Sequence, residues 1–312
     1  MSSLICGSVA YDTIMTFPGH FKDQILPDQL HILNVSFFVP SMRREFGGCA
    51  GNIAYTLKLL GGEPLIMATI GQDSGSYLQR LAQLGISNQY IRQIDAEFTA
   101  QAMITTDLAN NQITAFHPGA MMHSHLNRVS DVIHRPAYGI VAPDGRDGMI
   151  DHAQQFAEAS IPFIFDPGQG LPMFNGEELK HFAELASFVI VNDYEAQMML
   201  DRTGLSIHQL ADLAGVLIVT KGEAGSDIYS ANEKLELAVI QPESIIDPTG
   251  CGDAYRAALL FGLENGYDLA TTGRLANLIG AIKIAHRGGQ NHVFDFEGIC
   301  VKFKESYGYS LA

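Results

Sequence analysis

Basic residues, cysteines and long apolar runs are all scarce in this chain of 312 residues. Lysine and arginine number 19 against 34 acidic residues, and the formal charge of -15 disfavours nucleic acid and anionic membranes as partners. The four cysteines lie far apart and form no Cys-x-x-Cys pair, which argues against a zinc or dithiol site. No apolar run approaches the length of a membrane span and no signal peptide pattern is present, so we expect a cytoplasmic protein.

Two common nucleotide-binding patterns are also missing. The chain contains no Gly-Lys dipeptide, which excludes a Walker loop. No Gly-x-Gly-x-x-Gly follows the first apolar run, which disfavours an NAD-dependent dehydrogenase. Any phosphate site must therefore be built from other glycine-rich turns.

The composition, with 47% hydrophobic and 17% charged residues, is that of a globular protein with a large core. From the middle of the chain onward, apolar runs alternate with amphipathic stretches, one of which predicts a helix over 193–212. Such alternation indicates a parallel sheet that is covered on both faces. The sequence predicts an α/β fold with a doubly wound, mostly parallel sheet flanked by helices, in a single domain over 1–312. The clearest strands are expected at 138–142, 161–165, 187–191 and 215–220.

Two segments depart from this pattern and predict a small β-sheet lid, formed by insertions at about 14–46 and 98–120. The first mixes prolines with alternating apolar and polar residues, which is typical of a partly exposed sheet. The second contains two alternating runs around Asn110 and Asn111, a hairpin signal because asparagine tolerates a positive φ. The edge of such a lid can pair with a second chain, so both a monomer and a homodimer through the lid are consistent with the sequence.

The most informative motif is Asp247-Pro248-Thr249-Gly250-Cys251-Gly252-Asp253, directly before an apolar helical run. The flexible glycines and the unpaired N–H groups of a helix start form an anion site, here Gly250, Cys251, Gly252 and Asp253. An aspartate would repel a phosphate that was merely bound there. The aspartate is instead suited to act as a general base, which removes the proton of a hydroxyl that attacks the phosphate. An ordinary loop with an aspartate cap explains the motif equally well when it is taken alone.

A substrate alcohol is expected where the first strand and the next helix meet. Asp12 follows the first predicted strand, and one carboxylate can accept hydrogen bonds from two adjacent sugar hydroxyls. Gly47 and Gly48 bring the backbone close to a ligand, and Asn52 offers both a donor and acceptors. A turn aspartate and a glycine-rich loop are the structural alternatives.

Polar residues also follow three later strands of the predicted sheet. Asp166 directly follows a predicted strand, at the end of the sheet where a magnesium ion bound to phosphate is expected. Gln169 follows it and can contact a polar edge of the substrate. Asn192 and Glu195 form a helix capping box, and Glu195 also suits a water-coordinated Mg²⁺. The turn after the next strand offers a lysine and small residues for the nucleotide phosphates, namely Thr220, Lys221, Gly222 and Gly225.

These residues together resemble the ribokinase-like (PfkB) carbohydrate kinases across nearly the full chain. The late signature Asp-x-Thr-Gly-x-Gly-Asp is matched at 247–253, the early Gly-Gly-x-x-x-Asn at 47–52, and Asn-x-x-Glu at 192–195. Within the family, the stretches 47–55, 116–120, 166–169 and 287–290 are most similar to the adenosine and nucleoside kinases of prokaryotes.

The resemblance implies an ATP-dependent kinase that phosphorylates the 5′-hydroxyl of a nucleoside, adenosine before others. It implies Asp253 as catalytic base, Asn277 near ATP, and Mg²⁺ as cofactor; activation by K⁺, known in parts of the family, is left open. Phe116 suits both stacking on a purine and a role in the lid core. A ribokinase or fructokinase, or a catalytically silent nucleoside- or sugar-binding regulator, are the alternatives. The arginine that steadies the transferring phosphoryl in some members is unassigned among Arg43, Arg44 and Arg128.

Overall fold

The computed structural model describes residues 2–25, 31–32, 34–230 and 233–311. The described ranges contain these strands: β1 (Ser2–Cys6), β2 (Ala10–Thr16), β3 (Ser41–Gly47), β4 (Glu63–Gly71), β5 (Ile91–Ile94), β6 (Ala100–Thr106), β7 (Gln112–His117), β8 (Tyr138–Val141), β9 (Phe163–Phe165), β10 (Phe188–Asn192), β11 (Val216–Thr220), β12 (Ser226–Ser230) and β13 (Glu233–Leu237). The α-helices are α1 (Cys49–Leu59), α2 (Gly75–Leu84), α3 (Arg146–Glu158), α4 (Gly176–Leu185), α5 (Asp193–Thr203), α6 (Ile207–Ala214), α7 (Cys251–Glu264), α8 (Leu269–Lys283) and α9 (Phe296–Tyr307).

A nine-stranded sheet in the order β13-β12-β11-β10-β9-β8-β1-β4-β5 forms the centre of the fold. Its strands are parallel from β11 to β5, and β12 and β13 add an antiparallel edge. Alternate residues of each strand enter two separate apolar cores, as Ile190 does on one face and Val189 and Val191 do on the other. Helices α1, α7 and α8 cover the first face, and α3, α4 and α6 cover the second. The predicted doubly wound α/β fold is confirmed.

A four-stranded sheet in the order β3-β2-β6-β7 stands beside the large one and is the predicted lid. It begins earlier than expected, at Ala10, because the chain bends after β1 and the apolar run at 4–10 divides between the two sheets. The predicted hairpin is present, and Asn110 has a φ of 61° as the sequence suggested. Part of the first predicted insertion, at 26–30 and 33, lies outside the described residues.

Other elements also differ from the sequence-based expectation. The helix predicted over 193–212 is two helices, because Gly204 ends α5 with a φ of 69° and Ser206 caps α6. Strands β5 and β12 were not predicted, since neither carries a continuous apolar run. No helix in the described part of the chain combines the length and apolarity that crossing a membrane requires.

Candidate active site at the carboxyl edge of the large sheet

The first turn of α7 is a candidate anion site formed by backbone N–H groups. Gly250 precedes the helix with a φ of 78°, and no side chain caps the helix start. A Cβ at Gly250 would lie 2.9 Å from the Cα of Gly289, so both space and conformation require glycine. The N–H groups of Gly252 and Asp253 find no acceptor among the described residues. The Cys251 N–H, predicted to join them, instead donates to the Pro248 carbonyl at 3.1 Å. These unpaired donors at a helix N-terminus suit an anionic ligand.

Asp253 lies beside this site and is held by the early glycine-rich motif. Asn52 Nδ2, on the buried face of α1, donates to Asp253 Oδ2 at 2.8 Å. Gln290 Nε2 in turn donates to Asn52 Oδ1 at 3.2 Å and to the Tyr77 hydroxyl at 2.8 Å. Two predicted motifs 200 residues apart, one for the substrate and one for catalysis, therefore meet through a direct hydrogen bond.

The environment of Asp253 suits a proton acceptor. Burial raises the pKa of Asp253 to about 6, with Asp166 and Asp12 adding to the increase. The Asn52 hydrogen bond and the Arg256 charge act in the opposite direction and favour the carboxylate. A base whose pKa lies just below neutrality is ionised at pH 7 yet still accepts a proton in the transition state.

Asp12 faces the same space from the root of the lid. Burial, together with the nearby carboxylates of Glu45 and Asp247, raises the pKa of Asp12 to about 6. A Cβ at Gly47 would lie 2.5 Å from Asp12 Oδ2, and one at Gly48, where φ is 83°, would lie 2.5 Å from the Ser8 carbonyl oxygen. Both glycines of the early motif are therefore required by close packing at the point where the lid joins the large sheet.

The lid places Phe116 in the same cross-strand row as Asp12. Asp12 pairs with Glu45 on one side and with Ala102 on the other, and Ala102 pairs with Phe116. Paired residues point to the same face of a sheet, so Asp12 and Phe116 share one face. Two strand spacings separate them, roughly 10 Å. Phe116 is 53% exposed, which leaves its side chain accessible to a planar ligand.

Asp166 was predicted as a magnesium ligand, but both of its carboxylate oxygens are occupied by Arg256. Arg256 Nη2 donates to Oδ1 at 2.6 Å and Nε donates to Oδ2, in a pair that is almost fully buried. A metal ion at Asp166 would have to displace this bidentate partner. Asp166 and Arg256 therefore form a buried ion pair that disfavours a metal ion at this carboxylate, and Asp166 as a magnesium ligand stays a prediction.

Arg256 was not identified from the sequence as a candidate for steadying the transferring phosphoryl group. The candidates named from the sequence for that role were only Arg43, Arg44 and Arg128. A Cβ at Gly252 would lie 2.8 Å from Arg256 Nη1, so this arm of the guanidinium lies directly behind the anion site. Arg43 instead pairs with Glu45 in the lid at 3.3 Å, and Arg44 stacks over the Tyr11 ring at 4.7 Å. The sequence did contain a signal for Arg256. It is the third residue after Asp253 in the predicted helix, and residues three positions apart lie on the same side of a helix.

Asn192 and Glu195 form the predicted capping box at the start of α5. The Glu195 N–H donates to Asn192 Oδ1 at 2.7 Å, and the Asn192 N–H donates to Glu195 Oε2 at 2.8 Å. Glu195 Oε1 has no hydrogen bond within the described ranges. Burial raises the pKa of Glu195, Asp166 adds to the increase, and the Arg256 charge opposes it, which places this carboxyl near the buried pair.

The other predicted nucleotide residues lie at the turn between β11 and β12. Lys221 Nζ is paired with Asp227 Oδ1 at 2.5 Å, and its main-chain N–H donates to the Gly225 carbonyl. Thr220 Oγ1 donates to the Val191 carbonyl at 3.4 Å, and Gly222 is exposed with a φ of 54°. This turn lies at the same edge of the sheet as Asn192, two strands from Asp166.

Two other predicted residues, within the described ranges, form no hydrogen bond with Asp253 or with its asparagine partner. Asn277 is buried, and its Nδ2 donates to the carbonyls of Leu237 and Ala238 at 3.2 and 3.3 Å. Gln169 is exposed, and its side chain forms no hydrogen bond within the described ranges. Asn277 therefore joins α8 to the end of β13 by hydrogen bonds, and its place near ATP stays a prediction.

A buried carboxylate, unpaired helix N–H groups and a buried arginine at one edge of a doubly wound sheet are the groups that phosphoryl transfer to an alcohol needs. The pfkB family carbohydrate kinase model matches residues 9–294, and the chain belongs to this family. The nucleoside kinase of Methanocaldococcus jannaschii is 32% identical over 266 residues, which cover 83% of this chain and 86% of that relative.

Solved structures agree with the family. The nucleoside kinase of Burkholderia thailandensis in complex with inosine is 51% identical and superposes with a TM-score of 0.89 over 99% of each chain. The same protein in complex with ADP-inosine is 52% identical, with a TM-score of 0.87 over 99% of this chain and 97% of that one. The solved M. jannaschii nucleoside kinase is 29% identical, with a TM-score of 0.88 over 98% and 99%.

Proposed function

We propose that this protein transfers the γ-phosphoryl group of ATP to the 5′-hydroxyl of a purine nucleoside such as adenosine or inosine. The observation that carries the proposal is the Asp253 carboxylate, which lies beside unpaired N–H groups of α7 and is bonded to Asn52. A base next to an anion site is what phosphoryl transfer to an alcohol requires. The similarity to a kinase solved with inosine and with ADP-inosine supports the nucleoside and ATP as its two substrates.

The lid supports a nucleoside rather than a free sugar as acceptor. Asp12 accepts hydrogen bonds from ribose hydroxyls, while Phe116, on the same face and two strands away, stacks on the base. A free pentose or hexose fills only the part of this row near Asp12. Water is excluded when the lid covers the bound substrates, so hydrolysis of ATP does not compete with transfer.

In the proposed reaction, Asp253 accepts the proton of the 5′-hydroxyl as the hydroxyl oxygen attacks the γ-phosphorus. The bond from the γ-phosphorus to the bridging oxygen breaks, and ADP leaves with that oxygen. The N–H groups of Gly252 and Asp253 hold the negative charge of the transferring phosphoryl, and Arg256, behind them, adds a fixed positive charge. A magnesium ion bound with ATP would neutralise part of the phosphate charge. Glu195 Oε1 has no hydrogen bond within the described ranges and could contact such an ion through water, since Mg²⁺ keeps most of its waters.

A panel of adenosine, inosine, guanosine, cytidine, ribose and fructose with Mg-ATP tests the proposal. We expect a purine nucleoside to have the highest kcat/KM, since stacking on an aromatic ring contributes about 1–3 kcal/mol, roughly 5- to 150-fold. Phe116→Ala should lower kcat/KM for nucleosides by that factor and leave ribose unaffected. Ile113→Ala, on the opposite face of β7, is the matched control and should change neither.

Each other outcome of the panel rejects a distinct part of the proposal. Faster turnover of ribose or fructose would replace the nucleoside with a sugar and retain the kinase chemistry. Binding of a nucleoside without any turnover of ATP would identify a silent regulator and reject catalysis.

A further inference from the structure

Lys283, the last residue of α8, is a buried cation that the proposed reaction does not use. Its side chain is 0% exposed. Its ammonium donates to two main-chain carbonyl oxygens, those of Asp247 and His286, each at 2.9 Å. No carboxylate forms a salt bridge with it in the described part of the chain. A buried charge without a carboxylate partner is costly unless its surroundings compensate for the lost water.

The two carbonyls belong to the two segments that build the anion site. The Asp247 carbonyl lies at the start of the signature 247–253, and the His286 carbonyl leads into 287–290, which backs onto Gly250. The same segments are joined by the Ile284 carbonyl, which accepts from the Asp247 N–H at 3.1 Å. The Gly288 N–H also donates to Asp247 Oδ2 at 2.8 Å. Lys283 therefore lies at the junction that sets the position of the anion site.

The surroundings of the ammonium favour a monovalent cation. The carboxyl end of a helix carries a partial negative charge, and Lys283 stands at that end of α8. Burial lowers the pKa of Lys283, and the charges of Asp247 and Asp253 act in the opposite direction. Backbone carbonyls are also the ligands that replace the hydration shell of K⁺ in proteins. The ammonium thus occupies carbonyl oxygens that a potassium ion would otherwise need.

We propose that the Lys283 ammonium is a built-in monovalent cation, a positioning residue that holds the two segments of the anion site together. The kinase then needs no added potassium or sodium ion for turnover. The inference rests on the proposed kinase function, but it concerns how the anion site is held rather than which substrate is used.

The test measures nucleoside phosphorylation in K⁺, Na⁺ or tetramethylammonium chloride at constant ionic strength, with every reagent free of other monovalent metal ions. The wild-type protein should have the same kcat and the same Tm in all three salts. Lys283→Ala should lose about 10–100-fold in kcat, as removal of an orienting group around a bound ion does. K⁺ or methylammonium, but not tetramethylammonium, should restore part of its kcat and raise its Tm.

Lys302→Met is the matched control, because this exposed lysine on α9 pairs only with Glu243 among the salt bridges of the described residues, and the variant should resemble the wild type in every salt. Strong stimulation of the wild-type protein by K⁺ would overturn the inference and leave the kinase function intact. Unchanged kcat in Lys283→Ala would also overturn it. Absence of turnover in every salt would instead reject the kinase function, and the dependence of Tm on the cation would still test Lys283. If Lys283→Ala does not fold, the wild-type salt series decides alone.

Discussion

Asp253→Asn is expected to lower kcat by about 10²–10⁴-fold while both substrates still bind, because the amide cannot accept the hydroxyl proton. The change keeps the size of the side chain and leaves an oxygen to accept the hydrogen bond of Asn52. Steady-state turnover with calorimetric binding of the nucleoside and of an ATP analogue measures the two effects separately. A variant that keeps most of the wild-type kcat would reject Asp253 as the base.

The pH dependence of the wild-type protein provides an independent check on this assignment. Asp253 has a pKa raised to about 6, so the carboxylate is ionised above that pH and takes up a proton below it. We expect kcat/KM to fall as the pH drops through about 6, where Asp12 also titrates. Asp253→Asn should lose the Asp253 contribution to this fall. Asp212→Asn, an exposed carboxylate on α6, is the matched control and should keep the wild-type profile.

Arg256→Met is expected to reduce both stability and catalysis, for two separable reasons. It leaves the Asp166 carboxylate buried without its bidentate partner, which costs about 3–5 kcal/mol of unfolding free energy. It also removes the fixed positive charge behind the anion site, and loss of one such stabilising group lowers kcat by about 10²–10³-fold. Urea unfolding and turnover measure the two losses.

The double variant Asp166→Asn/Arg256→Met separates the structural effect from the catalytic one. Removing both charges should restore much of the stability, since no buried charge is left unpaired. It should not restore kcat, because the positive charge near the phosphoryl is still missing. Recovery of both properties together would show that Arg256 acts only through folding.

The large sheet was predictable because its strands are buried on both faces and therefore read as continuous apolar runs. The capping box of Asn192 and Glu195 was predictable because its two residues interact locally, three positions apart. Strand β12 was not predictable from the sequence, because Ser226 and Asp227 interrupt its apolar pattern. The break between α5 and α6 at Gly204 was not predictable either, because a single glycine is tolerated within a helical pattern.

The motifs of the site were predictable from the sequence, but the contacts between their side chains were not. Asp253 and the early asparagine stand in recognisable glycine-rich patterns. Asp166 and Arg256 are 90 positions apart, and no local rule indicates that one carboxylate will be filled by that guanidinium. Lys283 looks like an ordinary helical lysine in sequence, and only the folded chain brings its ammonium to the carbonyls of Asp247 and His286.

The most direct test of the central claim follows the phosphoryl group itself from γ-labelled ATP, with inosine and 5′-deoxyinosine as acceptors. We expect label on the 5′-oxygen of inosine and none on 5′-deoxyinosine, which should bind and inhibit competitively. Label on another oxygen, or comparable labelling of the 5′-deoxy compound, would contradict the account.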